Sequence, residues 1–599
     1  MEQRGRECSH LLTGELSRGA AGQMGGVSMK ALTMRYGTSY NQRMVPYSVW
    51  WPVKKDNGVS MGSNILNLEG SSSSAELLLT SLPRRAGNRS NKRSHSDYRV
   101  LFVYPNIQQS ALMPYAIGLF ASLLKREGFQ VGLFDSTFYI SDINANYSHY
   151  QTYVKKFDWA ERGVEFKQQD MLNDFVRKVE EFGPDLIAVS VVENTYPVGR
   201  AMIRALPEKL RSTPIMWGGV FATFAPQLIL QDDVGDFVCV GEGEHALVEF
   251  CRRECASESV DDIPNLWLRR DGNIIKNRLG PAVVLDELPF PDYDLFEPQA
   301  IYRPMQGRIW RTLGVESQRG CPYTCTYCNS PGQNALAQGA QGKLFYRKKS
   351  LSRVMEEIAF LHKKYNIELI YWLVDTFLAL SGKEFDELVE RYADFRIPFW
   401  MNTRPETMTE HRATKLEEMN MLRMSFGIEH GNQEYRNKML NRKVSSETML
   451  RGFECCVGRR YVTTGNTIIG MPEENRSLIF DTIDFCRQVP VGIELPGAFI
   501  FAPYHGTPLR EIAVKNGYLP AGSICDIRNP RESMLDQPQL PIDELIGLAR
   551  TFGLYQKLPK SEWKWVEKAE RDTVEGREVF ESLQREYNTV PSDARLDES

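Results

Sequence analysis

The 599 residues carry 72 basic and 76 acidic side chains, a formal net charge of -4, which excludes the broad positive field that holds nucleic acid by counterion release. With 42% apolar residues the chain has enough material for several packed cores, and no run approaches the ~18 apolar residues of a membrane span. Eleven cysteines, an odd and sparse count, fit the reduced thiols of a cytoplasmic protein better than a disulfide scaffold.

In chain order, residues 1–97 come first, with SSSS at 71–74 and RRAGNRSNKR at 84–93; they lack helical or strand period and read as a disordered or loosely attached extension. From Tyr98 the pattern changes to short apolar runs, VLFVY, QVGLFD, LIAVSVV, PIMWGG and FVCVGEG, alternating with helical segments. Continuous apolar strands separated by helices predict a doubly wound parallel sheet over residues 98–255. A linker over 256–311 contains the hairpin signal LWLRRDGNIIK around Asp271-Gly272, then the Pro-rich ELPFPDYDLFEP. A second βα series over 312–520 has six strand signals, too few for a closed eight-stranded barrel. Its helix SRVMEEIAFLHKKY places Val354, Ile358 and Leu361 on one face. Residues 521–599 are charged and mainly helical, and are expected to lie over the barrel mouth and supply substrate contacts.

Chemistry concentrates in QRGCPYTCTYCNSP, residues 318–331, where Cys321, Cys325 and Cys328 lie just after the first strand of the second series. Three thiolates leave a four-ligand zinc cage incomplete, but suit an iron-sulfur cluster with one iron open to another ligand. The spacing CxxxCxxC, with aromatic Tyr327 before the last cysteine, resembles the radical S-adenosylmethionine (radical SAM) enzymes. The resemblance implies that S-adenosylmethionine chelates the fourth iron of a [4Fe-4S] cluster. TTGNTIIGMPEE is similar to the family motif GxIxGxxE, with Ile468, Gly470 and Glu473 in register but Asn466 in place of the first glycine. By the same resemblance Glu429 in SFGIEH, Asp375 and Thr376 in LVDTF, and Asn402 and Arg404 in MNTR are candidates for holding SAM. His430 and His505, both at strand ends, are candidates for proton transfer.

A doubly wound domain takes its ligand at the carboxyl ends of its strands. Here those ends supply Tyr104, Pro105 and Asn106; Ser190, Glu193 and Thr195; Gly218, Gly219 and Val220; and Gly241, Glu242 and Gly243. Joined to a radical SAM barrel, they resemble the cobalamin-binding class of that family. Gly218-Gly219 match its GG and Ser190-Val191-Val192 approximate its SxL, whereas YPNIQQ stands where ordinary cobalamin folds carry DxHxxG. The expectation is base-off cobalamin without a protein histidine ligand. Cys251 with Cys255, and Cys455 with Cys456, read as core or surface thiols.

The resemblance implies an α/β chain: a Rossmann-like cobalamin domain, a partial (β/α)6 TIM-type radical SAM barrel and a helical C-terminal region. It implies a methyltransferase that moves methyl from SAM, via methylcobalamin, to an unactivated carbon of a small molecule or peptide by means of a 5′-deoxyadenosyl radical. A cyclase or ring-contraction enzyme with the same cofactors, and a non-catalytic corrinoid sensor, are the alternatives. The expected partners are substrate and an external electron donor such as flavodoxin or ferredoxin, with the enzyme a monomer and neither nucleic acid nor membrane involved.

Overall fold

The computed structural model describes residues 92–106, 113–140, 155, 157–232, 234–525 and 532–587. The expected extension lies outside these up to residue 91; Arg93, however, donates its backbone N–H to Cys255 (2.9 Å) and pairs with Asp185 (2.5 Å). The residues just before Tyr98 are therefore bound to the first domain.

That domain is built on β1 (Arg99–Tyr104), β2 (Gln130–Asp135), β3 (Leu186–Ser190), β4 (Ile215–Gly218), β5 (Phe237–Cys239), β6 (Leu266–Arg270) and β7 (Asn273–Lys276). The sheet order is β2-β1-β3-β4-β5-β6-β7, with β1 to β5 parallel. The four central residues of β1 are all buried, as a strand covered by helices on both faces requires. The hairpin assigned to the linker instead extends this sheet, because β6 pairs antiparallel with β5 and β7 with β6. Its Asp271-Gly272 turn has positive φ at both residues, matching the twist of a two-residue hairpin.

The second sheet contains β8 (Tyr302–Met305), β9 (Arg308–Val315), β12 (Leu369–Trp372), β13 (Phe399–Thr403), β14 (Met421–Glu429), β15 (Val462–Ile469) and β16 (Ala498–Ile500). Between its members β9 and β12, a short ribbon pairs β10 (Gln318–Arg319) antiparallel with β11 (Arg347–Lys348). The order β16-β15-β14-β13-β12-β9-β8 contains six parallel strands with β8 antiparallel at one edge, the partial barrel. Along β14, Met424, Phe426 and Ile428 are buried, while Arg423, Ser425, Gly427 and Glu429 stay half-exposed on the alternate face. The inner face is therefore not plugged by core side chains as in a closed barrel.

On the outer side, Val354, Ile358 and Leu361 of the helix Leu351–Tyr365 are fully buried, with Ser350 as N-cap and Asn366 left-handed at the C-terminus. The C-terminal helices differ from expectation. Ile542–Lys557 packs on helix Arg476–Gln488 and on β16, and Arg476 pairs with Glu570 (2.8 Å), so these helices cover the flank. The segment before them reaches the strand ends, where Gln537 donates to the Met471 carbonyl and accepts from Glu473 N–H. No helix of the described residues is long and apolar enough to cross a membrane.

Candidate active site

The cysteine loop leaves β10 and enters helix Ser330–Gln341, at the carboxyl ends of the barrel strands. Cys321 and Cys325 are buried, Cys328 is half-buried, and all three are free thiols. Burial pushes the Cys321 thiol above its ordinary pKa and that of Cys328 up to about 11. Each sulfur meets a polar neighbour. Thr376 Oγ1 lies 3.6 Å from Cys321 Sγ, Arg404 Nη1 donates to Cys325 Sγ (3.8 Å), and Ser330 N–H donates to Cys328 Sγ (3.4 Å). Among the described residues no three His, Cys, Asp or Glu side chains converge on one metal ion. A cubane cluster takes one thiolate per iron and needs no such convergence, so three separate thiols with donors aimed at sulfur fit it.

Five of the residues assigned to SAM gather here, Thr376 beside Cys321 among them. Asp375 Oδ2 accepts from Ser330 Oγ (3.3 Å), and the Asp375 carbonyl accepts from Asn402 Nδ2 (3.1 Å). Burial raises the Asp375 carboxyl above its ordinary range. Arg404 stacks on the Tyr323 ring at 3.8 Å and donates to Glu406 (2.6 Å). Glu429 ends β14 in the left-handed region, and its carboxylate folds back over Gly427, where a Cβ would lie 2.1 Å from Oε1. That oxygen accepts from Tyr327 OH (3.1 Å) and faces Arg442 Nη1 at 3.4 Å. Burial raises the Glu429 carboxyl despite Arg442, whereas burial of Glu406 is outweighed by Arg442 and Arg404, which hold it below the usual range.

The strand motif is arranged differently from its sequence reading. Ile468 and Tyr327 both pack against one apolar cluster. A Cβ on Gly470 would meet Leu545 at 2.5 Å, so the C-terminal helix packs closely on that side of the residue. Glu473 turns outward and accepts from Asn516 (2.6 Å) and Tyr518 (2.8 Å). Its neighbour Glu474 is fully buried, accepts from the N–H groups of Gly470 and Met471, and approaches His430 Nε2 to 3.0 Å. His430 is fully buried and stacks on Tyr435 at 4.3 Å, so it is closed off from proton exchange at the strand ends. His505 Nδ1 lies 2.9 Å from Glu193 Oε1, tying the end of the barrel to the first domain.

At the carboxyl ends of β3, β4 and β5 a cavity of about 370 Å³ is lined by Ser190, Gly218, Gly219, Val220, Gly241, Glu242 and Gly243. It is nucleotide-sized, with apolar walls from Phe102, Phe120, Met216 and Leu247, and the barrel closes it with Glu316, Arg319 and Leu373. A Cβ on Gly218 would meet nothing within 4 Å, so its absence leaves space; Gly219, at φ +103, lies against the Val191 carbonyl, 2.2 Å from where its Cβ would be. This glycine cradle fits a cobalamin tail. The other expected contacts lie elsewhere. Tyr104 is not in the lining, Pro105 packs on Gly199, Asn106 is buried and donates to Thr137 (3.0 Å), and Thr195 bonds its own turn at Val192. Glu193 is taken by His505 and the Cys525 N–H (2.9 Å). The rest of YPNIQQ, residues 107–109, lies outside the described residues. Cys251 and Cys255 are core thiols.

Sequence reading missed Arg442, Glu406, Glu474 and Ser330. Ser330, two residues past the last cysteine, and Gly427, two before Glu429, were visible as local signals; Arg442 gains its meaning only when the chain folds back on Glu429.

A three-thiolate loop at the mouth of a partial barrel, joined to a doubly wound domain with a glycine-cradled cavity, defines a two-cofactor enzyme. The radical SAM superfamily model matches residues 315–486 and the B12 binding domain model residues 112–251, more than half of the chain between them. The chain belongs to the cobalamin-dependent radical SAM family. It is similar to PH0819 of Pyrococcus horikoshii, described as an uncharacterized methyltransferase, with 25% identity over 58% of this chain and 73% of that protein. It is also similar to the cytidylyl-2-hydroxyethylphosphonate methyltransferase of Streptomyces wedmorensis, with 22% identity over 73% of this chain and 85% of that one. Among solved structures, the radical SAM methyltransferase TsrM of Kitasatospora setae, with tryptophan and a SAM analog bound, shares the fold. The TM-score is 0.51 at 20% identity, covering 70% of this chain and 76% of that one.

Proposed function

We propose that this enzyme methylates an unactivated carbon of a small molecule or peptide, with SAM as the methyl source. When bound, the cluster supplies an electron for SAM cleavage and cobalamin supplies a methyl carrier. Cys321, Cys325 and Cys328 would ligate the cluster; Asp375, Asn402, Arg404 and Glu429 stand where SAM would bind; and the cradle at Gly218 and Gly219 would take the cobalamin tail. The observation that carries this reading is that one cavity wall is shared by the glycine-rich strand ends and by Arg319, two residues ahead of Cys321. Two cofactors would thereby be held around one partly open barrel face, which supports methyl transfer in preference to chemistry on one cofactor alone. The protein contributes orientation and exclusion of water. Arg404 and Ser330 direct N–H groups at sulfur, and the Arg442 guanidinium keeps charge balanced beneath Glu429.

The reading takes with it a one-electron donor of the flavodoxin or ferredoxin kind and a monomeric, cytoplasmic enzyme. Its test is anaerobic reconstitution with iron, sulfide, cobalamin, SAM, reductant and candidate substrates. Both 5′-deoxyadenosine and S-adenosylhomocysteine are expected with methylated product. 5′-Deoxyadenosine alone, with a rearranged product, would replace methyl transfer by cyclisation or ring contraction.

A further inference from the structure

The cavity wall and the cluster loop share one buried ion network. From β10, Arg319 Nη1 donates to Glu242 (2.6 Å), in the turn that follows β5, and to Glu244 (2.7 Å), the first residue of the helix Glu244–Ala256. Its opposite edge forms a fork with Glu316, both contacts at 3.0 Å. From β11, Arg347 donates to both carboxylate oxygens of Glu242 (2.5 and 3.1 Å). Lys349, two residues on and on the same side of the extended chain, donates to Tyr115 OH (2.8 Å) and to Glu357 (2.7 Å). The intervening Lys348 pairs instead with Glu384 (2.7 Å). Glu242, Glu244 and Tyr115 all line the cavity.

The ribbon thus presents three cations to the wall of the first domain's cavity. Glu242 and Glu244 are only 8% and 6% exposed, and their buried charge is compensated by the ribbon's guanidiniums, so wall and ribbon move together. Because Arg319 precedes Cys321 by two residues, a displacement of the wall reaches the cluster loop through a single intervening glycine, Gly320.

We propose that the β10–β11 ribbon is a positioning element, with Arg347 and Arg319 as its positioning residues, through which cobalamin binding orders the cluster loop and cluster loading tightens cobalamin. The coupling is reciprocal, as linkage requires. It rests on the reading that both cofactors bind this chain.

The test uses the full chain, hydroxocobalamin and hydrogen exchange read by mass spectrometry. In the cluster-free wild type, hydroxocobalamin should slow exchange in residues 316–328 as well as in 215–243. In Arg347→Met, a substitution off the cavity lining, it should still slow 215–243 while 316–328 no longer respond. Arg347→Lys, which keeps the charge, should recover part of the response. Loading the cluster should tighten hydroxocobalamin by about tenfold in the wild type and by less than about twofold in Arg347→Met. If Arg347→Met does not fold, Arg347→Gln, which removes the charge but keeps a polar side chain off the cavity lining, is read the same way. A wild type whose 316–328 segment ignores bound hydroxocobalamin, or a variant that keeps response and coupling intact, overturns the inference alone. Failure of the wild type to bind hydroxocobalamin overturns the proposed function with it.

Discussion

Gly218 and Gly219 are adjacent, yet the structure requires opposite results from substituting them. At Gly219 the backbone has φ +103 and ψ -177, a region almost restricted to glycine, and an added Cβ would fall 2.2 Å from the Val191 carbonyl oxygen. Backbone strain of about 1–3 kcal/mol and a forced shift of about 1–3 kcal/mol together predict that Gly219→Ala destabilises by about 2–6 kcal/mol. At roughly 2–4 °C per kcal/mol for a domain of this size, the first thermal transition should fall by about 4–24 °C. Gly218→Ala should leave that transition unchanged, because its Cβ meets nothing within 4 Å. Gly218→Leu should also fold, but its side chain would occupy the cavity and weaken hydroxocobalamin binding roughly ten- to hundredfold, the equivalent of ~1–3 kcal/mol of overpacking. Differential scanning calorimetry and a cobalamin titration read both effects. A Gly219→Ala protein as stable as wild type, or a Gly218→Leu protein with unchanged affinity, would refute the cradle.

Three other outcomes follow from the site. Cys321→Ala should lose cluster iron and all 5′-deoxyadenosine formation while hydroxocobalamin binding persists, as measured by iron content and absorbance. Glu474→Ala should cost about 3–5 kcal/mol in urea unfolding, because it strips a buried partner from His430 and two N–H groups, whereas Glu473→Ala should behave as a surface change. Equal losses at the two positions would refute the assignment of the buried role to Glu474. For Asp135, burial raises the carboxyl from 3.8 to about 6, so the native state favours the protonated form. Its stabilising contribution is complete below pH 3.8 and is lost as pH rises through 6. Asp135→Asn should therefore raise stability at pH 7.5 by up to about 3 kcal/mol and leave it unchanged near pH 4, as thermal scans at the two pH values would show.

The cluster loop was legible because three thiols within eight residues need no tertiary contact to be close. The strand ends were legible too, since apolar runs closing in Gly-Gly or Gly-Glu-Gly declare where a parallel sheet stops. The choice between Glu473 and Glu474 was not legible. Both follow Gly470 within one turn, and only the packing of Leu545 and His430 decides which is buried. The hairpin at Asp271-Gly272 declared its turn, but not that β6 would add to the edge of the first sheet.

By itself, then, the sequence determined the local chemistry: a three-thiolate loop, a doubly wound sheet and six barrel strands. These follow from hydrophobic period, turn residues and spacing, all short-range properties. The tertiary structure decided the pairings between residues far apart in the chain, Arg442 with Glu429 and Glu406, His505 with Glu193, and Arg319 and Arg347 with Glu242. A buried charge takes whichever opposite charge the fold brings within reach, and no local pattern records that choice.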